Sequence, residues 1–149
     1  MARYEIQLPE DFIDKINTLS DKSQDMYIEA LEKSSDIIKN RLVDNLRPHD
    51  RTGELSRSIK ATVPKKFSGK EGAYYTVVRP TGTSATYIVR DKIYKRKTMA
   101  RNMVKLAAIE YGVRGKIAPK PVLAKTLNSC RSAVESTIDE IITRTVGGK

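Results

Sequence analysis

One apolar stripe limits what this chain can fold into more than any other feature. Ile28, Leu31, Ile38, Leu42 and Leu46 recur at helical spacing, and Pro48 then removes the backbone N–H that a further turn would need. The spacing predicts a long amphipathic helix over about 22–46. A helix with a single apolar stripe must lay it against another layer, so the rest of the chain has to supply one. Upstream, Pro9 suits the first turn of a shorter helix. Glu10 and Asp11 suit the positive end of its dipole, and Phe12, Ile13, Ile16 and Leu19 carry its spacing. Ser20 or Asp21 can cap the second helix, and the alternation of Tyr4, Ile6 and Leu8 suggests a short strand at 3–8.

Beyond Pro48 the period changes. Asp50-Arg51-Thr52-Gly53-Glu54-Leu55 reads as a turn followed by a helical turn. From Ser58 to Val63, Ile59, Ala61 and Val63 alternate with polar residues, as in a half-buried strand. Pro64 to Gly72 reads as a lysine- and glycine-rich hairpin loop, and Ala73 to Arg79 as a second strand dense in β-formers. Pro80-Thr81-Gly82 turns the chain into a third strand at Ala85 to Val89. Residues 90–101 are strongly basic, with Asp91 the one acid, and have no clean period; they read as a solvent-reaching loop or hairpin tip. Residues 102–111 fit a helix or a strand equally well.

Gly112 ends that element, 113–118 form a loop, and Pro119 and Pro121 fix an extended entry into a final helix over 119–146. Leu123, Leu127, Cys130, Val134, Ile138, Ile141 and Ile142 are expected on its apolar face, ahead of a frayed Gly147-Gly148-Lys149 tail. The sum is one α+β domain, 1–149, with amphipathic N-terminal helices and a C-terminal helix packed on a small antiparallel sheet. It divides into a strand plus N-terminal helices over 1–46, a sheet region with the basic excursion over 47–118, and the closing helix over 119–146.

Charge is unevenly spread along the chain. The net charge is +10, yet residues 1–46 carry −4, residues 47–125 carry +14, and residues 126–149 are neutral. The cationic block could face nucleic acid, an acidic protein surface, or simply solvent. Cys130 is the only cysteine, so no internal disulfide or thiolate cluster is expected, and with His49 the only histidine, structural zinc is not expected either. No signal-peptide pattern follows Met1, and no window reaches the ~18 apolar residues of a membrane span. The expectation is a soluble protein made in a reducing cytoplasm, without membrane contact.

Catalytic patterns are sparse. His49 sits between Pro48 and Asp50 in a turn, where a surface histidine is the simpler reading than a general base. Cys130 lies on the apolar face of the last helix and reads as a small core residue. Gly69-Lys70-Glu71-Gly72 does not make a phosphate loop. Asp50, Glu54, Glu71, Asp91 and Glu110 show no spacing typical of a metal-dependent nuclease. No catalytic residue, cofactor or metal is therefore expected. Nucleic-acid binding is the serious competitor: Lys92, Lys95, Arg96, Lys97 and Arg101 cluster around Tyr87 and Tyr94, a mixture suited to phosphates and stacked bases. No helix-turn-helix, zinc-finger or RNA-recognition signature accompanies them.

Two stretches carry a resemblance. Thr52-Gly53-Glu54-Leu55-Ser56-Arg57-Ser58-Ile59 resembles a signature of the phage minor tail component, or head–tail joining, family. Ile109-Glu110-Tyr111-Gly112-Val113-Arg114, followed by Ala118-Pro119-Lys120-Pro121-Val122-Leu123, resembles that family's second signature, an acid–aromatic–glycine step leading into the last helix. With the N-terminal helix, the likeness runs from about residue 25 to 145. Many members have Phe where this chain has Val122, and the excursion at 90–101 is longer and more basic than usual.

The resemblance implies a structural virion protein of the neck and no enzyme. It implies a homo-oligomeric ring, taken as a hexamer, contacting head-closure and tail proteins and made in the host bacterial cytoplasm. Thr52, Gly53, Leu55, Ile59, Tyr111, Gly112, Pro119 and Pro121 would then be architectural residues. Arg90, Lys92, Tyr94, Lys95, Arg96, Lys97, Arg101, Glu110 and Arg114 are the candidate subunit or partner contacts. They could meet acidic helices of a neighbour or touch the backbone of passing DNA.

Overall fold

The computed structural model describes the backbone of residues 10–66, 74–90 and 97–146, and side chains over 22–66, 74–85, 88 and 100–145. The strand expected at 3–8 lies outside the described residues.

The first helix, α1 (Glu10–Leu46), runs 37 residues, about 55 Å at 1.5 Å per residue. Two helices were expected here, split at Ser20 or Asp21, but the chain makes one. No Gly or Pro occurs between Glu10 and Leu46, and an interior Ser or Asp costs only ~0.5 kcal/mol, less than exposing two new helix ends. Leu42 and Leu46 on the stripe are fully buried, and Ser34 and Ser35 are buried between its upper members. The stop at Pro48 is as expected: a 3-10 turn over Arg47–His49 leads the chain away.

The last helix, α4 (Val122–Val146), lies antiparallel along α1 and makes its most extensive contact there. Asn45 Nδ2 donates to Thr126 Oγ1 (3.0 Å) near one end, and Arg144 donates to the Glu29 carboxylate near the other. Hydrogen bonds from Arg144, then Lys33, hold the Glu29 carboxyl down to about 2. The inward face of α4 is Val122, Thr126, Cys130 and Ile141, so Leu127 (60% exposed) and Ile142 (41%) do not belong to it as expected. Thr126 takes the inward place because its hydroxyl is satisfied there, donating to the Val122 carbonyl (2.7 Å) and accepting from Asn45. Cys130 is buried and unpaired, as a core residue should be.

Among the described residues between the long helices lie a short helix α2 (Glu54–Ser58), six strands and α3 (Asn102–Tyr111). The strands pair antiparallel, as expected of an α+β chain, but as three two-stranded ladders. Strands β1 (Ile59–Ala61) and β4 (Val78–Pro80) pair, as do β2 (Lys65–Lys66) and β3 (Tyr74–Tyr75). The strand expected over Ala73 to Arg79 is thus two pieces. Between Ala61↔Val78 and Lys65↔Tyr75 one side has an extra residue, a bulge at Val63-Pro64. Pro64 cannot donate to a ladder, and Val63, displaced by the bulge, is 72% exposed rather than on the buried face. The third ladder joins β5 (Thr83–Arg90) to β6 (Lys97–Arg101), so both ends of the basic excursion are strand, and residues 91–96 lie outside the described residues.

Leu42, Leu46, Leu55, Ile59, Leu106, Ile109 and Val122 form the core, where the C-terminal end of α1 meets α2, β1, α3 and the start of α4. Each such side chain contributes roughly 1.5–3 kcal/mol by leaving water. Residues 102–111, ambiguous on the sequence, are the helix at the centre of this junction.

Candidate assembly interface

The two signatures meet through α3. In the first, Asp50 accepts from the Ser56 N–H (2.7 Å), and Thr52 Oγ1 lies 3.4 Å from the Glu54 N–H. Gly53 takes the left-handed conformation (φ 67°) that lets the chain reverse into α2. Leu55 and Ile59 then enter the core. Lys105 of α3 reaches back to this turn, with Nζ 3.4 Å from Glu54 Oε2 and 3.6 Å from Asp50 Oδ1. The Asp50 side chain is fully buried and that of Lys105 is 15% exposed, so neither charge is left to solvent. Glu54 also accepts from the buried Ser84 hydroxyl (3.0 Å) and the Ala85 N–H, which ties β5 to the same point.

At the other end of α3, Glu110 Oε2 accepts from the Leu123 N–H (2.8 Å) in the first turn of α4. A carboxylate there satisfies an orphan donor and faces the positive end of the helix dipole. Lys120 N–H in turn satisfies the Ile109 carbonyl (2.7 Å). Gly112 sits at φ 75°, ψ 173°. A Cβ there would stand 2.7 Å from the Ile117 oxygen and 2.9 Å from the Pro119 nitrogen. Pro119 and Pro121 follow in the exposed connection to α4. Tyr111 differs from its architectural neighbours, because it is 77% exposed.

Arg90 and Lys97 are backbone partners at the last described pair of the β5–β6 ladder. Lys92, Tyr94, Lys95 and Arg96 lie outside the described residues. Arg101 is exposed at the N-terminus of α3, and Arg114 is exposed in the small turn closed by the Val113↔Ile117 bridge. A hollow of about 380 Å³ lies between Arg79, Gly82, Arg101 and Met103. Another of about 550 Å³ lies between Tyr111 and Pro119. His49 is exposed and Asp50 is occupied by Ser56 and Lys105, so the two do not form an acid–base pair. Among the described residues no group of three or more His, Cys, Asp or Glu could hold a metal, and no helix is long and apolar enough to cross a membrane.

Lys105 and its two acids escaped the sequence reading. With 102–111 set as a helix, Lys105 shares the inward face with Asn102, Leu106 and Ile109, and a lysine on that face asks for a buried acid.

Apart from the exposed Tyr111, the motif residues close turns, cap a helix or fill the core of an α+β chain. The family model described as "Bacteriophage HK97-gp10, putative tail-component" matches residues 10–88, just over half of the chain. The chain belongs to this family of phage tail components. The match includes the Thr52–Ile59 signature; the second signature lies beyond it. No match is found among curated proteins or among solved structures.

Proposed function

We propose that this chain is a ring subunit of the phage neck, connecting the portal and head-closure side to the tail. Membership of the tail-component family carries the reading. The structural use of the signature residues supports it. A subunit of this kind works through its surfaces, and ring closure needs heterologous contacts, one surface meeting a different surface on the next copy. Six copies, contacts to head-closure and tail proteins, and assembly in the host cytoplasm follow from the same reading. The basic β5–β6 arm, with Arg90 and Lys97 as its last described pair, would face a neighbouring subunit or the DNA passing through the ring.

Electron microscopy of tailed particles carrying the chain labelled at Lys149 tests this. A label at the single neck position is expected; label on intracellular nucleic acid and none on particles would refute it. A DNA titration separates the alternative, a small basic nucleic-acid-binding protein. Such a binder loses affinity steeply with log salt, by roughly 10³-fold or more between 50 and 200 mM for six or more phosphate contacts, whereas a ring subunit shows weak, unspecific attraction.

A further inference from the structure

Helix α3 turns an apolar side to water. Met103 (45% exposed), Val104 (44%) and Tyr111 (77%) share an outward stripe with the exposed Ala107, at i, i+1, i+4 and i+8. The stripe is about 12 Å long. Its core-facing residues are already spent on Leu106, Ile109, Asn102 and Lys105. Cations flank it: Arg79 and Arg101 line the hollow beside Met103, and Arg114 lines the one beside Tyr111. None of these three arginines has an acidic partner among the described residues. An apolar strip rimmed by charge of one sign is the form of a protein-docking surface.

The complementary surface is on the same chain. Over 132–143, α4 carries Glu135, Asp139 and Glu140 with no cation, beside the exposed Ile142. These acids line an open hollow of about 670 Å³ together with Ser132, Ser136, Thr143 and Arg144, and because Glu29 already holds the Arg144 guanidinium the hollow stays net acidic. Glu135 holds Arg131, but Asp139 and Glu140 have no partner among the described residues. The exposed side chains of α1 fit less well, because acids such as Glu32 and Asp36 alternate there with Lys33 and Arg41. Within one copy the two surfaces cannot meet. α3 is tied to α4 at Leu123, and Asp139 lies sixteen residues further along, about 24 Å.

We propose that the outward face of α3 docks into the acidic hollow of α4 on a second copy of this chain. The contact is heterologous, so it can propagate from copy to copy. It rests on the ring reading above and names the surfaces through which that ring would form.

The test places Ala107→Cys and Asp139→Cys in one chain and oxidises purified particles that contain it. Each substitution is at an exposed position, and native Cys130 is buried. A ladder of covalent multimers is expected from the double variant and not from either single one. A second measurement uses charge: Arg101→Glu is expected to lower particle yield tenfold or more, and adding Asp139→Arg to restore it. Particles that contain the double variant yet yield monomer alone, with Arg101→Glu without effect, overturn the contact and leave the neck assignment standing. That assignment falls separately, if the unsubstituted labelled chain is missing from the neck.

Discussion

Replacing Gly112 by Ala tests whether the joint between α3 and α4 is set by backbone geometry. At φ 75° and ψ 173° the residue occupies a region that is essentially glycine's alone, where a side chain costs on the order of 1–3 kcal/mol. The added Cβ would also stand 2.7 Å from the Ile117 oxygen and 2.9 Å from the Pro119 nitrogen. Both are backbone atoms, and the Ile117 oxygen accepts the Val113 N–H, so relief would break the small turn that carries Arg114. Overpacking of this kind adds about 1–3 kcal/mol. The expected total is about 4 kcal/mol, or roughly 10 °C in Tm for a chain near 150 residues. Gly115→Ala is the control: its φ is also positive, 72°, but nothing lies within 4 Å of its Cβ. It should lose only about 1 kcal/mol. Urea denaturation and thermal melts of the three proteins side by side give both numbers. Equal losses at the two glycines, or a Gly112→Ala loss under about 1 kcal/mol, would refute the argument from close approach.

Lys105→Met removes the cation facing a fully buried Asp50 and should lower stability by about 3 kcal/mol in urea; adding Asp50→Asn to it should recover part of that loss. Glu110→Ala removes the acceptor for the Leu123 N–H and should lose about 1 kcal/mol, with amide-exchange protection falling first in the opening turn of α4. Glu29 has a depressed carboxyl pKa, so its stabilising contribution is complete above the ordinary value of 4.5 and fades as pH falls towards about 2. Acid titration of wild type against Glu29→Gln should therefore converge over that window, and parallel curves would contradict the Arg144 and Lys33 contacts.

The long helices were legible because each keeps an apolar period over many turns. Their ends and inward faces were less so. Ser20 and Asp21 look like caps, yet nothing in a run free of Gly and Pro forces a break, and α1 runs through. Thr126 took an inward place from Leu127 because a partner on α1 satisfies its hydroxyl, and a single sequence does not reveal that partner. The strands were found approximately and their breaks were not. The bulge at Val63-Pro64 depends on which residues pair across the hairpin, although Pro64 was a hint.

The least legible segment was 102–111, and the reason is physical. A helix is recognised when its apolar side faces in and its polar side faces out. α3 turns Met103, Val104, Ala107 and Tyr111 outward and sends Asn102 and Lys105 inward, so the two patterns overlap and the period is blurred. Each departure has its own cause. The inward lysine is tolerated because Asp50 and Glu54 meet it, which binds the first signature to the helix. The outward Met103, Val104 and Tyr111 remain 44–77% exposed, and they form the strip proposed above for docking. An element with a paired lysine on its inner face and exposed apolar residues on its outer one loses the periodicity by which it would have been recognised.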